Sequence, residues 1–212
     1  MASEIHLDVA HVWQLDPDHP IQPNERRNMC APAAANMVLD FLHNRLGQDS
    51  FQLAEIAERM QQYGGRVQEL GWKHSAQVSA LKSYGLTAWR RNWLAPSQDP
   101  QYFIDHEDYD KNQVGAFLTQ LHSEEQGQDS VQDKAHYCIV SSLSRGIPVI
   151  VSVKAGFSEN EIGHMVVVSG FSRSHVDIVD PILSAGQQQP VTWEYFWQYF
   201  KLQAIFVLPL PQ

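Results

Sequence analysis

The apolar residues of this chain change their rhythm near position 145. Before it they recur at three- and four-residue intervals, the period of a helix with one buried face. In "NMCAPAAANMVLDFL" (28–42), Ala34, Met37, Val38 and Phe41 form such a stripe. Pro32 is tolerated only in a first turn, so the helix is predicted to start at about Met29 or Cys30. A second helix carries Leu53, Ile56, Ala57 and Met60 before Gly64-Gly65, with Asp49 and Gln52 spaced as a capping box. Ser75 to Tyr84 repeats the pattern on Val78, Leu81 and Tyr84, with Gly85 as its C-terminal stop. Further helices are expected over 112–125, carrying Val114, Phe117, Leu118 and Leu121, and over 133–144. From Gly146 onward the runs are short and β-branched: "IPVIVSV", "HMVVVSGF", "HVDIVD" and "LQAIFVL", separated by Gly, Pro, Ser and Asn. Helices first and strands after predict an α+β domain, a helical N-terminal half packed on a mostly antiparallel C-terminal sheet.

Composition narrows the function classes. The 212 residues, 43% hydrophobic, suffice for one compact unit, read here as 1–212 with a helical lobe over about 28–145 and a sheet lobe over about 146–208. A formal charge of −9 argues against a nucleic-acid partner, which needs clustered Lys and Arg. The one basic cluster, "WRRNW" (89–93), reads as a solvated turn with two half-buried indoles. "SAGQQQP" (184–190) reads as a polar loop. No stretch approaches the roughly 20 apolar residues of a membrane span, and the start lacks a basic region followed by an apolar run. Two cysteines are too few for a disulfide framework and lack metal-site spacing, so reduced thiols and a cytoplasmic location are the default, with a specialised export route left open.

The chemistry begins at Cys30. A helix N-terminus offers free N–H groups and the positive end of the helix dipole, both of which favour a thiolate. Cys138 lies mid-helix and reads as a small core hydrophobe. A cysteine nucleophile needs a base and the base an orienting acceptor. Among ten histidines, His164 opens a strand after Gly163, which would keep its approach uncluttered, and Asp180 ends the next strand before Pro181. If 164–171 and 175–180 form a hairpin, Asp180 shares a face with His164 when it pairs opposite residue 164 or 166, and a one-residue slip would separate them. A rival acidic stretch, Asp108, Asp110 and Asn112, starts like a calcium loop but fails at Gln113 and Thr119, and reads as a solvated loop with Asp110 capping a helix.

"NMCAPAAANMVLDFL", "LSRGIPVIVSV", "GHMVVVSGF" and "VDIVDP" together resemble a papain-like cysteine peptidase, most of all the bacteriocin-processing, double-glycine leader peptidases (cysteine peptidase family thirty-nine) and their stand-alone relatives, over about residues 10–208. The separations of His164 and Asp180 from Cys30 fall within the roughly 130–150 residues of papain enzymes. The resemblance implies a papain-like fold, a triad of Cys30, His164 and Asp180, and an oxyanion-binding side chain shortly before the cysteine. The family has Gly directly after the cysteine where this chain has Ala31, and Gln about six residues before it where this chain has Asn24. Gln22 is the first choice for that donor and Asn24 its rival. The implied activity is hydrolysis of a peptide or isopeptide bond in a peptide or protein substrate through a thioester, with no cofactor. A transacylase using the same thioester, or a silent peptide-binding module on the same scaffold, are the alternatives.

Overall fold

The structure is a computed structural model that describes residues 4–44, 50–67, 71–93, 127–128, 130–158 and 163–209. The helix expected over 112–125 and the acidic stretch at 108–112 lie outside the described residues, as does Asp49.

A short strand β1 (Ile5–His6) and a single turn α1 (Pro23–Arg26) precede α2 (Cys30–Asn44). Alanine-rich and free of interior Gly, α2 has high helix propensity, and it starts at Cys30 with Pro32 in its first turn. It is not an amphipathic surface helix: Ala31 through Asp40 and Leu42 are all buried, while Phe41 is only half-buried. Neighbours on almost every side replace the expected single stripe. Next come α3 (Leu53–Gln62), a small hairpin of β2 (Arg66–Val67) and β3 (Gly71–Trp72), and α4 (His74–Ser83). Gln52, expected three residues inside the helix as partner of a capping box, is instead the N-cap of α3 and makes no side-chain cap hydrogen bond. Gly85 follows α4 at φ 82, as its C-terminal stop requires.

The main sheet is antiparallel, in the order β4 (Leu86–Asn92), β9 (Phe200–Pro209), β5 (Val149–Lys154), β6 (Gly163–Phe171), β7 (His175–Val179) and β8 (Val191–Thr192), with β1 added to β6. Helix α5 (Val131–Ser144), capped by Ser130, and α6 (Trp193–Tyr199) complete the described α-helices. Alternate residues of the central strands enter two separate cores. Ile150, Met165 and Val167 pack with Ala34, Met37 and Val38 of α2 and Leu81 of α4. Val149, Val151, Val166 and Val168 pack with Cys138 and Ile139 of α5 and Phe196 of α6. A sheet covered on both faces explains why its strands read as continuous apolar runs.

Besides the two-residue strands β1 to β3, strand β4 and helix α6 depart from the division into helices and then strands. "WRRNW" is not a solvated turn: Leu86–Asn92 is a strand paired along its whole length with β9. Trp89 is 3% exposed and stacks on Phe206 at 5.7 Å, and Trp93 is 7% exposed. Indoles of this size gain more from burial than a turn could provide. Helix α6 interrupts the strand-rich C-terminal part, and its Phe196 packs with Cys138 and Ile139 of α5 on the face of the sheet opposite α2.

Candidate functional site

Cys30 is delivered by a segment that side chains from three places hold by its carbonyls. Gln14 Nε2 donates to Arg26 O (3.0 Å) and Arg27 O (3.1 Å), Trp72 Nε1 to Asn28 O (2.5 Å), and Gln77 Nε2 to Ala31 O (2.8 Å). Gln14 and Gln77 are fully buried, where an amide forgoes solvation and is found only when it has structural work. The backbone N–H of Gln14 also donates to Pro181 O at 2.8 Å, tying the N-terminal strap to the residue after Asp180. These donors carry no sequence signal: isolated Gln and Trp residues become partners of the 26–31 segment only by packing.

His164 and Asp180 meet because β6 contains a bulge. Pairing from the turn runs Phe171↔Val176 and Gly170↔Asp177, a register that would continue to set Asp180 opposite Val167, on the wrong face. Between Gly170 and Val168 the register shifts by one, and pairing resumes as Val168↔Ile178 and Val167↔Val179, which carries Asp180 to the level of Val166. Val168 and Phe171, three apart, accordingly enter the same core. Ser169 is the extra residue, and its carbonyl accepts from Leu7 N at 2.8 Å. Gly170 is required there because β1 crosses it: a Cβ would stand 2.5 Å from Ile5 O and would also collide with Asp177 Oδ2.

Asp180 Oδ1 lies 2.6 Å from His164 Nε2, both side chains buried. The same oxygen accepts from Ile182 N at 2.9 Å. Gln188 grips the backbone of Asp180 from both sides, Oε1 accepting from its N–H and Nε2 donating to its C=O, each at 2.8 Å, while His11 Nε2 reaches the same carbonyl at 3.2 Å. Gln188 belongs to "SAGQQQP", which is thus partly ordered around a 3-10 turn at Ala185–Gln187. With Nε2 engaged, the other ring nitrogen, Nδ1, remains for Cys30, whose sulfur hydrogen-bonds the His164 side chain.

The electrostatics follow from these contacts. Burial alone pushes the Cys30 thiol up, but the hydrogen bond and charge of His164 and the backbone N–H groups of Met165 and Ala31 outweigh it, and the pKa falls below its ordinary 9.0. Burial would likewise lower His164, yet Asp180 on one side and Cys30 on the other hold it up at about 10. Cys138 is fully buried in α5.

Gly163 stands beside His164, where an added Cβ would make only ordinary contacts with Lys201 Nζ (3.7 Å) and Ser152 Oγ (3.9 Å), so nothing among the described residues requires glycine at that position. Gln22 is the exposed N-cap of α1 and makes no cap hydrogen bond, and Asn24 is exposed within α1. Among the described residues no group of three or more His, Cys, Asp or Glu side chains converges as a metal ion would need, and no helix is long and apolar enough to cross a membrane.

The fold has counterparts among known proteins. The fold is similar to a protein described as a C39-like peptidase from Bacillus anthracis, at TM-score 0.60 and 15% identity, covering 100% of both chains. It is also similar to the peptidase domain of ComA, a bi-functional ABC transporter of Streptococcus, at TM-score 0.50 and 17% identity over 95% of this chain and 98% of that one. A double glycine motif protease from an AMS/PCAT transporter, solved with its leader peptide, matches at TM-score 0.50 and 14% identity over 99% of each chain. Comparison with curated proteins finds no significant match. The family model described as Peptidase_C39 like matches residues 6–205, and the chain belongs to that family.

Proposed function

We propose that the protein is a cysteine peptidase that hydrolyses a peptide or isopeptide bond through a thioacyl intermediate. The observation that carries this reading is the chain of contacts from Asp180 Oδ1 to His164 Nε2 at 2.6 Å and from His164 to a Cys30 thiol of lowered pKa. His164 holds the thiol proton, the Cys30 thiolate attacks the carbonyl carbon, and the imidazolium then protonates the leaving amine. Water, deprotonated by the same imidazole, attacks the thioester and frees Cys30, while Asp180 fixes the ring orientation. The backbone N–H of Cys30 stabilises the oxyanion together with a side-chain amide, for which Gln22 is proposed and Asn24 is the alternative. A donor of this kind contributes roughly 2.7–4 kcal/mol in studied hydrolases. The leader-peptide complex of the double glycine motif protease supports a peptide as the substrate class.

The test is the pH dependence of iodoacetamide alkylation, read by mass spectrometry at Cys30 and Cys138. Rapid labelling of Cys30 well below pH 9, slowed in His164→Ala, is the expected outcome. A Cys30 that labels like an ordinary thiol in both proteins would overturn the reading.

A further inference from the structure

A cleft of about 260 Å³ opens beside Asp180, the carboxylate that contacts the His164 ring. Phe157, Ile178, Ile182, Leu183 and Tyr195 form its walls, with Asp180 at its edge. Four large hydrophobic side chains are exposed among the described residues, and two of them, Ile182 at 39% and Tyr195 at 40%, stand on this cleft. Together they give the cleft an apolar rim.

The walls are built and held. Phe157 has φ 47, a left-handed conformation that a bulky residue rarely adopts. Tyr195 holds it there: its Oη donates to Phe157 O at 3.1 Å and its ring stacks on Phe157 at 5.8 Å, with Tyr199 edge-on at 6.2 Å. The amide of Gln188 is spent on Asp180 and Leu183, so it offers no hydrogen to an occupant. Among the described residues no Lys, Arg or His lines the cleft, and its one charged group, Asp180, faces His164. An acidic side chain would be repelled there and an apolar one would lose only water.

We infer that this cleft receives an aliphatic or aromatic side chain of the substrate on the leaving-group side of the scissile bond. This rests on the peptidase reading above. The imidazole must lie next to the departing nitrogen in order to protonate it, so the leaving chain runs out on the imidazole's side of Cys30. The cleft borders Asp180, whose carboxylate contacts the imidazole on the ring nitrogen not used for Cys30, and so adjoins the side on which the leaving chain departs.

The first arm of the test is independent of catalysis. Full-length Cys30→Ala protein is titrated with N-acetyl-leucine methylamide, N-acetyl-phenylalanine methylamide and N-acetyl-aspartate methylamide, following methyl NMR signals of Ile178, Ile182 and Leu183. The expected result is saturable shifts with the first two probes, none with the third, and at least a tenfold weaker response in Ile182→Asp, an exposed substitution whose folding the same spectrum reports. Equal shifts with all three probes, or none at these methyls, overturn the cleft assignment. The second arm digests a defined peptide library with the parent protein and with Ile182→Asp. Enrichment of apolar residues at one of the first few positions after the cut, lost in Ile182→Asp, supports the placement, and cuts without that preference overturn it. An ordinary Cys30 alkylation profile would defeat the peptidase reading and, with it, the leaving-group placement, while the NMR arm still decides whether the cleft binds apolar side chains.

Discussion

Asp180 acts on Cys30 only through His164, which makes it a positioning residue in the proposed mechanism. Replacing it with Asn keeps the shape but removes the charge that holds the imidazolium, and kcat is expected to fall by roughly 10²–10⁴ with KM little changed, read by steady-state kinetics. The raised pKa of His164 has two consequences of definite sign. Turnover should rise as Cys30 ionises below its ordinary 9.0 and decline as the imidazolium is lost near pH 10, seen in the pH profile of kcat/KM. Because the folded pKa lies above the ordinary 6.5, the stabilisation this group contributes is complete below 6.5 and is lost as pH rises through about 10. Gly163 separates structural from functional need. Its Cβ would meet no close neighbour among the described residues, so Gly163→Ala should leave Tm unchanged and slow turnover only if substrate passes there, measured by calorimetry and kinetics on the same sample.

The bulge at Ser169 is the element on which the site depends. Without its one-residue shift, the hairpin would direct Asp180 away from His164, whatever the two residues' intrinsic properties. Gly170→Ala drives a Cβ into Ile5 O and Asp177, and is expected to cost about 1–3 kcal/mol in denaturant unfolding as β1 is displaced. The carbonyl clamp on the segment before α2 is a second such element. Trp72→Phe keeps the ring and removes the donor to Asn28 O, which should cost about 1 kcal/mol of stability and slow Cys30 alkylation, whereas a purely structural role would leave the alkylation rate unmoved.

At the scale of the whole molecule, the sheet is buried between two helical layers, and the groups caught at its margins decide the acid limit. His74 is held neutral down to about 4 by burial and by the charges of Arg90 and Lys201. The unfolded chain protonates it near 6.5, so stability falls as pH drops from 6.5 toward 4, and His74→Gln should flatten that part of the denaturation-midpoint profile. Local features are legible in the order of residues alone: Pro32 sets the start of α2, Gly85 ends α4, and the apolar runs after Gly146 are strands, because each follows from the backbone preferences of neighbouring residues. The meeting of His164 and Asp180 is legible only as a conditional, true for one strand register and false for the next. The order of residues settles which residue types stand at the helix mouth, the strand mouth and the strand end. The bulge that lets His164 and Asp180 meet, the burial of Trp89 and Trp93 against β9, and the grip of Gln14, Trp72, Gln77 and Gln188 on distant carbonyls arise only in the folded chain. Those depend on contacts between segments far apart in the chain, which packing creates and local preference does not encode.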